Sequence, residues 1–332
     1  MEAKKALNSV GWGALYRKFR MIFSGTRDKG FKQVSGVSKV NIWSPPATLF
    51  LANQLVESLN EMGMRARVTS KTVIGVSRAD LDIVLAPAFF GFPLTRGPRI
   101  IFQLEQAAGG GGRVTPEYVN YMNASLAVFE FSQFNVAGLI QLGVNSEKIH
   151  YVPLGGSAKV FSQSMKTKAG ALPREKRIMA YAWFSGSPRR ERFLKYAIEK
   201  MPSLVVRTDL FGEEMVKELE SSDVVVHINY NTPAILATLR LWESLSRGCQ
   251  VVSEKAMNWR EDPYLLKLVR FVEEGEFDLI RDQANELTSV DAEDQKRLVT
   301  IEDSEFRFKN ALAKGLFGAG VIDDASRWNV RQ

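Results

Sequence analysis

The 332-residue chain has few of the residues that build disulfides and metal centres, with one cysteine and two histidines. Because Cys249 is alone, an internal disulfide is excluded, and a reducing compartment, the cytoplasm, is the simplest interpretation. So few cysteines and histidines fall short of a dedicated zinc site of the usual kind, and we expect no metal. No run of about 18 uninterrupted apolar residues occurs. We therefore expect neither a membrane-spanning helix nor, from the first residues, a signal peptide.

Two nucleotide-binding motifs are also missing. The chain has no G-x-x-x-x-G-K-[ST] loop, and no G-x-G-x-x-G turn stands between a predicted strand and a predicted helix. These absences disfavour an ATPase and a nicotinamide-dependent dehydrogenase. No Ser/His/Asp or Cys/His arrangement indicates a nucleophilic hydrolase.

The positive charge lies almost wholly at the start of the chain. The net charge is +7, and residues 1–40 contain nine Lys and Arg against Glu2 and Asp28, so the remainder is neutral overall. The segment GWGALYRKFRMIF mixes these cations with aromatic residues, which suits a helix on an anionic membrane surface. A helix packed on the protein with solvated charges fits equally well. Nucleic-acid binding is disfavoured because no basic stripe follows.

The rest of the chain alternates short β-branched apolar runs with helical patterns, which predicts an α/β fold with mostly parallel sheets. Residues 155–175 are polar and predict a linker or hinge, although a surface loop is an alternative. The alternation then restarts. We expect an extension (1–37), a first α/β domain (38–155), a linker (156–175), a second α/β domain (176–300), and a C-terminal helix and tail (301–332).

The segment SSDVVVHINYNTPAILATLRLWESLSRGCQVVSE, residues 221–254, predicts a strand, a loop, a helix and a second strand. Thr232 is a good N-cap, Pro233 suits the first helical position, and Gly248 ends the helix. Ligands bind at the carboxyl ends of strands in such units, and the free amides after Thr232 would suit a phosphate. An ordinary crossover without a ligand is the alternative.

A second strand-to-helix turn, FSGSPRRERF, places Arg189 and Arg190 in the first turn of a predicted helix. Cations oppose the helix dipole there and are tolerable if an anion also binds. A guanidinium group fits a diphosphate, so Gly186, Ser187 and these arginines are candidate ligand contacts. The alternative is that the arginines are exposed or paired with Glu191.

Three further side chains are candidates for acid–base chemistry. Glu105 follows one predicted strand and Glu130 ends the next, so one of them could be a general base. A structural, hydrogen-bonded carboxylate is the commoner case. The four glycines after Glu105 indicate a mobile loop, either a lid or a plain connection. His227 ends a strand, and a buried, hydrogen-bonded histidine is its alternative.

These motifs together resemble glycosyltransferases of the GT-B architecture over residues 38–318. ESLSRGCQVVSE resembles the E-A-L-x-x-G-x-P-V-V-x-x segment of retaining members, in which the glutamate, here Glu243, holds the nucleotide ribose. FSGSPRRERF resembles the turn in which a basic residue contacts the donor diphosphate. FQLEQ and VFEFSQFNVAGLIQLGVNSEKIHYVPLGG resemble the end of the first domain.

The resemblance implies two Rossmann-like domains facing a cleft, with a C-terminal helix that crosses back to the first domain. It also implies a metal-independent transfer of sugar from a nucleotide-sugar donor to a glycan, lipid-linked or small-molecule acceptor, without a cofactor. The enzyme would be cytoplasmic or peripheral on the inner face of a membrane. The implied donor contacts are Gly186, Ser187, Arg189, Arg190, Tyr230, Thr232, Ala234, Ile235 and Glu243, and the catalytic candidates are Glu105, Glu130 and His227.

Three departures accompany the resemblance, of which one is that His227 and Asn229 stand where relatives with an N-I-H-Y-Y type loop have asparagine and histidine. TPAILATLRLW lacks the acidic residue that many relatives carry before the ribose glutamate, and Gln250 replaces the usual proline. A catalytically silent nucleotide- or sugar-binding protein, or a GT-B-shaped nucleotide-sugar epimerase, therefore stays open.

Overall fold

A computed structural model describes residues 36–70, 77–89, 95, 97–109, 113–170, 174–184, 186–208, 210–287 and 291–325. The basic aromatic extension, apart from its last two residues, lies outside these ranges, and its expected membrane contact stays a prediction. Within the described ranges, no helix is both long and apolar enough to cross a membrane.

Within the described part, six parallel strands form the first sheet, in the order β2-β1-β3-β4-β5-β6. The strands are β1 (Lys39–Trp43), β2 (Arg65–Thr69), β3 (Leu81–Leu85), β4 (Arg99–Gln103), β5 (Ala127–Glu130) and β6 (Ile149–Tyr151). The helices are α1 (Leu49–Glu61), α2 (Pro116–Asn123) and α3 (Gln133–Gln141). β3 is buried along its whole length because helices cover both faces of a parallel sheet.

The second sheet has five described strands, again parallel, in the order β11-β10-β9-β7-β8. They are β7 (Ile178–Tyr181), β8 (Leu204–Arg207), β9 (Val224–His227), β10 (Gln250–Glu254) and β11 (Val269–Val272). The helices are α4 (Ala158–Ala169), α5 (Pro188–Lys200), α6 (Gly212–Glu220), α7 (Thr238–Ser246), α8 (Leu265–Leu268), α9 (Phe277–Glu286) and α10 (Asp291–Gly318). The strand order reverses between β7 and β9, which opens a crevice at their carboxyl ends.

The two faces of the second sheet pack against different hydrophobic cores. Met179 and Val225 face the core that continues into the first domain, whereas Ile178 and Val224 pack with α5 and α9 on the other side. This alternation follows the two-residue period of a strand. α10 joins the shared core and crosses back to the first domain, where an added Cβ at Gly315 would lie 3.0 Å from the Phe129 ring. The predicted crossing helix is therefore confirmed.

The segment expected to be an irregular linker contains α4, so the irregular part of that prediction is wrong. Ser157 caps this helix, since its Oγ accepts from the amide of Val160 at 3.3 Å. Phe161 and Ser164 are buried, and the helix packs against α7 and α10. The many lysines obscured this amphipathic spacing in the sequence. The proposed domain boundaries stay predictions.

The helix expected from Pro233 begins instead at Thr238, which corrects the second boundary. The amide of Ile235 donates to Gln106 Oε1 at 3.1 Å, and the amide of Leu236 donates to Asn258 Oδ1 at 2.7 Å. Because distant side chains take these amides, residues 228–237 form a loop. The predicted helix end is right, since Gly248 has a φ of +73° just after α7.

Candidate functional site

The crevice of the second sheet is bordered by residues 182–184 and 186–187 after β7 and by the loop 228–237 after β9, and the segment 104–109 of the first domain faces it. Gln106 crosses between the domains, with its Nε2 donating to the carbonyl of Pro233 at 3.0 Å. The chain therefore brings the predicted residues after β4, β7 and β9 to one interdomain cleft.

A cavity of about 420 Å³ lies between α1 of the first domain and α4, α6 and α7, and no residue of the crevice loops lines it. Its walls include Phe50, Asn53, Gln54, Met215, Glu243 and Arg247. The volume is within the range of small-molecule sites. Glu243, the predicted ribose residue, is thus placed at a cavity large enough for a nucleoside.

Glu243 is only 4% exposed, and burial raises its pKa to about 7 although Arg247 and Arg240 act to lower it. Arg247 itself pairs with Glu220, from its Nη1 to Oε1 at 3.1 Å. Opposite, Gln54 donates through Nε2 to the carbonyls of Gly155 and Gly156, at 3.1 and 2.7 Å. Within the described ranges, its buried Oε1 has no hydrogen-bond partner. Both residues line the cavity, and each carries an oxygen of the kind that accepts from a hydroxyl donor.

The sequence interpretation requires Arg189 to be free to contact a diphosphate, and the structure does not place it so. Its Nε and Nη2 meet the two carboxylate oxygens of Glu254 at 3.0 and 2.8 Å, and Nη1 donates to Thr232 Oγ1 at 2.7 Å. Nη1 also contacts Glu274. The alternatives of an exposed side chain or a pair with Glu191 are wrong. Because the guanidinium group already makes four contacts within the protein, it is poorly placed to bind a diphosphate.

Arg190 is also buried and faces inward. It donates from Nε to the carbonyl of Ile228 at 2.9 Å and from Nη1 to that of Trp183 at 2.8 Å. Its guanidinium carbon lies 5.1 Å from the centre of the Tyr230 ring. Burial, with Arg240 adding to it, lowers the pKa of Arg190 to about 9. Arg190 therefore braces the two loops of the crevice against each other.

Hydrogen bonds of the neighbouring candidates Gly186, Ser187 and Tyr230 also hold the two segments together. Ser187 Oγ donates to the carbonyl of Tyr230 at 2.8 Å and caps α5 by accepting from the amide of Arg190 at 3.4 Å. Tyr230 donates its hydroxyl to the carbonyl of Gly186 at 3.2 Å. Gly186 has a φ of +75°, a conformation that glycine adopts without strain. Here the sequence placed the turn and its cap correctly.

The predicted phosphate site at the amides after Thr232 is not formed. Thr232 is exposed and donates its hydroxyl to Glu274 Oε1 at 2.7 Å. Ala234 and Ile235 are buried. Because no helix begins there and the amides of Ile235 and Leu236 are already bound, this stretch does not present the cluster of free amides of a helix N-terminus.

His227 lies at the end of β9, 2% exposed, where the sequence placed it. Among the residues that the structure describes, neither ring nitrogen meets the distance and angle of a hydrogen bond, but the side chain of Asn229, two residues further on, lies close enough to act to raise the pKa of His227. Burial, followed by the charges of Arg240 and Arg190, outweighs this effect and holds the pKa of His227 well below its usual range. The imidazole is therefore neutral and lies near two cations.

Arg240 is the residue that sequence reasoning missed. It stands in the first turn of α7, with its guanidinium carbon 5.1 Å from the centre of the Tyr181 ring and Nη1 3.4 Å from the carbonyl of Tyr181. It is partly exposed. Its position three residues before Glu243 was a usable signal, because residues at that spacing share one face of a helix.

The two candidate carboxylates have different surroundings. Glu130 is fully buried and accepts from the amide of Ser132 at 3.0 Å and from Asn135 Nδ2 at 2.8 Å. Burial raises its pKa well above the usual range, so Glu130 is the structural carboxyl of the alternative interpretation. Glu105 keeps 10% of its side chain exposed, 3.7 Å from Arg113 Nη1. Burial raises the pKa of Glu105, and Arg113 opposes the shift.

Within the part of the chain that the structure describes, no group of three or more His, Cys, Asp and Glu residues could hold a metal ion.

Comparison with solved structures identifies the architecture. The α,α-trehalose-phosphate synthase (UDP-forming) of Burkholderia vietnamiensis matches with a TM-score of 0.52 and 10% identity, over 84% of this chain and 99% of that one. The chain has the GT-B fold. HepE of Anabaena, solved with UDP and glucose, matches with a TM-score of 0.48 and 14% identity, over 88% of this chain and 97% of that one. No protein-family model and no curated protein sequence matches the chain. At these identities the likeness shows the GT-B fold alone.

Proposed function

We propose that this GT-B chain is a glycosyltransferase that moves a sugar from a nucleotide-sugar donor to an acceptor hydroxyl group. One observation carries the proposal. Glu243 and Arg240 lie on one face of α7, and Glu243 borders a cavity of about 420 Å³ between the two domains. A carboxylate and a cation at that spacing, with Cβ atoms about 5–6 Å apart, match the ribose and phosphate parts of one nucleotide.

The nucleoside would bind in the cavity. The carboxylate of Glu243 and the unpaired Oε1 of Gln54 would accept hydrogen bonds from ribose hydroxyl groups. Because Gln54 belongs to the first domain, the site would be complete only when the two domains are closed. Closure would also exclude water from the reaction.

The diphosphate would bind beside Arg240, His227 and Asn229. A neutral imidazole can still donate one N–H group, and a partly exposed guanidinium supplies the positive charge. These groups would stabilise the leaving diphosphate as its charge develops, without a metal. Arg189 and Arg190 would act indirectly, by holding the loop that carries Tyr230 and Thr232.

Glu105 would orient or deprotonate the acceptor hydroxyl from the opposite side of the cleft. Burial raises its pKa, and a carboxylate of higher pKa is a stronger base. Glu130 has no such role, because it is fully buried and hydrogen-bonded. The acceptor would be a glycan, a lipid-linked saccharide or a small molecule.

A catalytically silent nucleotide-sugar-binding protein is the second candidate. It is favoured by the commitment of Arg189 to Glu254 and by the absence of an acidic residue between Thr232 and Trp242. Incubation with UDP-glucose and other nucleotide sugars, with and without a panel of acceptors, separates the possibilities. Product that appears only with acceptor supports transfer, product without acceptor indicates an epimerase, and binding without turnover indicates the silent protein.

The donor site is tested by thermal melting with UDP, GDP, ADP, CMP and TDP in parallel. A nucleotide at 100 times its Kd stabilises the folded state by about 2.7 kcal/mol, which shifts the melting temperature by several degrees. The shift should disappear in Glu243→Ala and persist in Glu199→Ala, an exposed glutamate on α5. A melting temperature that none of the five nucleotides changes would contradict the proposal.

The basic segment 1–37 would bring the enzyme to an anionic membrane that holds a lipid-linked acceptor. Co-sedimentation of the full chain with vesicles tests this expectation. Binding to phosphatidylglycerol vesicles, and none to phosphatidylcholine vesicles, supports it. Equal recovery in the supernatant with both vesicle types contradicts it.

A further inference from the structure

Gln106 makes a set of bonds that tie the loop after β9 to the first domain. Its Nε2 donates to the carbonyls of Ala108 and Pro233, at 2.8 and 3.0 Å. Its Oε1 accepts from the amide of Ile235 at 3.1 Å and from Asn231 Nδ2 at 3.2 Å. One side chain thus reaches three positions of the 231–236 loop, which contains neither helix nor strand.

The backbone on either side of Gln106 is held in place by contacts within the first domain. The buried Asn135 accepts through Oδ1 from the amides of Ala107 and Ala108, at 2.6 and 3.1 Å, and donates to the carbonyl of Glu105 at 2.8 Å. α3 supports the same segment closely, since an added Cβ at Gly138 would lie 2.7 Å from the amide nitrogen of Ala108. Gln106 and the catalytic candidate Glu105 therefore belong to one rigid turn.

The far side of the loop has its own anchor. Asn258 accepts from the amide of Leu236 at 2.7 Å and donates to Ser132 Oγ at 3.2 Å, across the domains. Ser132 also donates to Glu261 Oε2 at 2.8 Å. The loop is consequently held between two side chains, of which only Gln106 comes from the opposite wall of the cleft.

We propose that Gln106 is a positioning residue that holds the 231–236 loop beside the crevice at the end of β9, where the diphosphate is proposed to bind, and couples it to Glu105. The buried side chains of Ala234, Ile235 and Leu236 keep the loop attached, whereas Gln106 fixes the path of its backbone. The part of this inference that concerns a nucleotide rests on the proposed function. The contact itself does not, because it joins two segments of the chain by hydrogen bonds.

Hydrogen exchange on the free protein tests the contact. Gln106→Met keeps the length of the side chain and removes all of its hydrogen bonds, so exchange at the amide of Ile235 should accelerate about tenfold. Gln106→Glu retains the acceptor for that amide and should keep exchange near the wild-type rate. Gln141→Met, at an exposed glutamine on α3, is the matched control and should change nothing. Unchanged exchange at Ile235 in Gln106→Met would overturn the inference.

A second measurement uses UDP as the probe. UDP should slow exchange over residues 229–237 in the wild type, and its affinity should fall about tenfold in Gln106→Met with the melting temperature of the free protein unchanged. An affinity equal to that of the wild type would overturn the positioning role. If the wild type itself bound no nucleotide in the five-member panel, the proposed function would fail, and the exchange rates of the free variants would still decide whether Gln106 holds the loop.

Discussion

Replacement of Arg189 by methionine should destabilise the second domain, because it leaves the carboxylate of Glu254 buried without its cation. Glu254 has no exposed surface, and Arg189 meets both of its oxygens, at 3.0 and 2.8 Å. Its remaining partners are the amides of Asn229 and Gly275, at 2.9 and 3.1 Å. Removal of one member of such a buried pair costs about 3–5 kcal/mol.

A loss of that size should lower the melting temperature by roughly 6–20 °C, at about 2–4 °C per kcal/mol for domains of this size. Differential scanning calorimetry measures the change. Arg192→Met is the control, since Arg192 is exposed in the same turn and should cost no more than about 0.5 kcal/mol. The double variant Arg189→Met/Glu254→Gln should recover part of the loss, because glutamine is neutral and still accepts from the amide of Asn229.

The reasoning can be refuted by a single pattern of results. If Arg189→Met melted within about 2 °C of the wild type while its affinity for nucleoside diphosphates fell tenfold, the charge of Arg189 would serve a ligand and not Glu254. The sequence interpretation of the arginine turn as the diphosphate contact would then be restored.

Three further predictions concern other parts of the molecule. Burial raises the pKa of Glu243 to about 7, so ionisation of this carboxyl group costs stability progressively between pH 4.5 and 7. The stability gained by Glu243→Gln should grow from pH 4.5 to 7 and level off near 3 kcal/mol in urea titrations, and a gap independent of pH would contradict this. Gly138→Ala should cost roughly 1–3 kcal/mol, since its Cβ would lie 2.9 Å from the carbonyl carbon of Ala107, and an unchanged urea midpoint would contradict the close contact. Glu261→Ala should cost about 1 kcal/mol by calorimetry, because its carboxylate accepts from the amide of Gln133 at the start of α3, and no loss would show that this cap is dispensable.

The sequence predicted two helix starts by the same argument, and only one is right. Ser187 and Pro188 predict the start of α5. The Ser187 hydroxyl does cap this helix, because it accepts from the amide of Arg190, the third helical residue. Thr232 and Pro233 present the same signal. Their helix does not form there because the amide of Ile235 is bound by a residue 129 positions away and the Thr232 hydroxyl is bound by Arg189. A capping signal reports local preference, and partners brought by the fold can override it.

The same distinction explains which parts of the candidate site were predictable. The β-branched runs of β3 and β9 and the glutamate of α7 are readable because each depends on one element. The cleft-facing Gln106 and the pairing of Arg189 with Glu254 are not, since their partners are far along the chain. Glu191 is the only acidic residue near the arginines in sequence, and no local pattern distinguishes Glu254 as their partner.

The charges around His227 bear on one departure from the GT-B pattern, the missing acidic residue between Thr232 and Trp242. Within the described ranges, neither Arg190 nor Arg240 has a carboxylate at ion-pair distance, whereas Arg189 has two. Glu254 accepts from the amide of Asn229 at 2.9 Å beside the end of β9 and acts to raise the pKa of Arg190, but it is already paired with Arg189. Among the described residues, Arg190 and Arg240 are therefore left without an ion-pair partner of their own, which favours an anionic ligand beside them. The absence of an acidic residue between Thr232 and Trp242 thus agrees with the proposed diphosphate contact, and it leaves the proposed acid–base chemistry to Glu105.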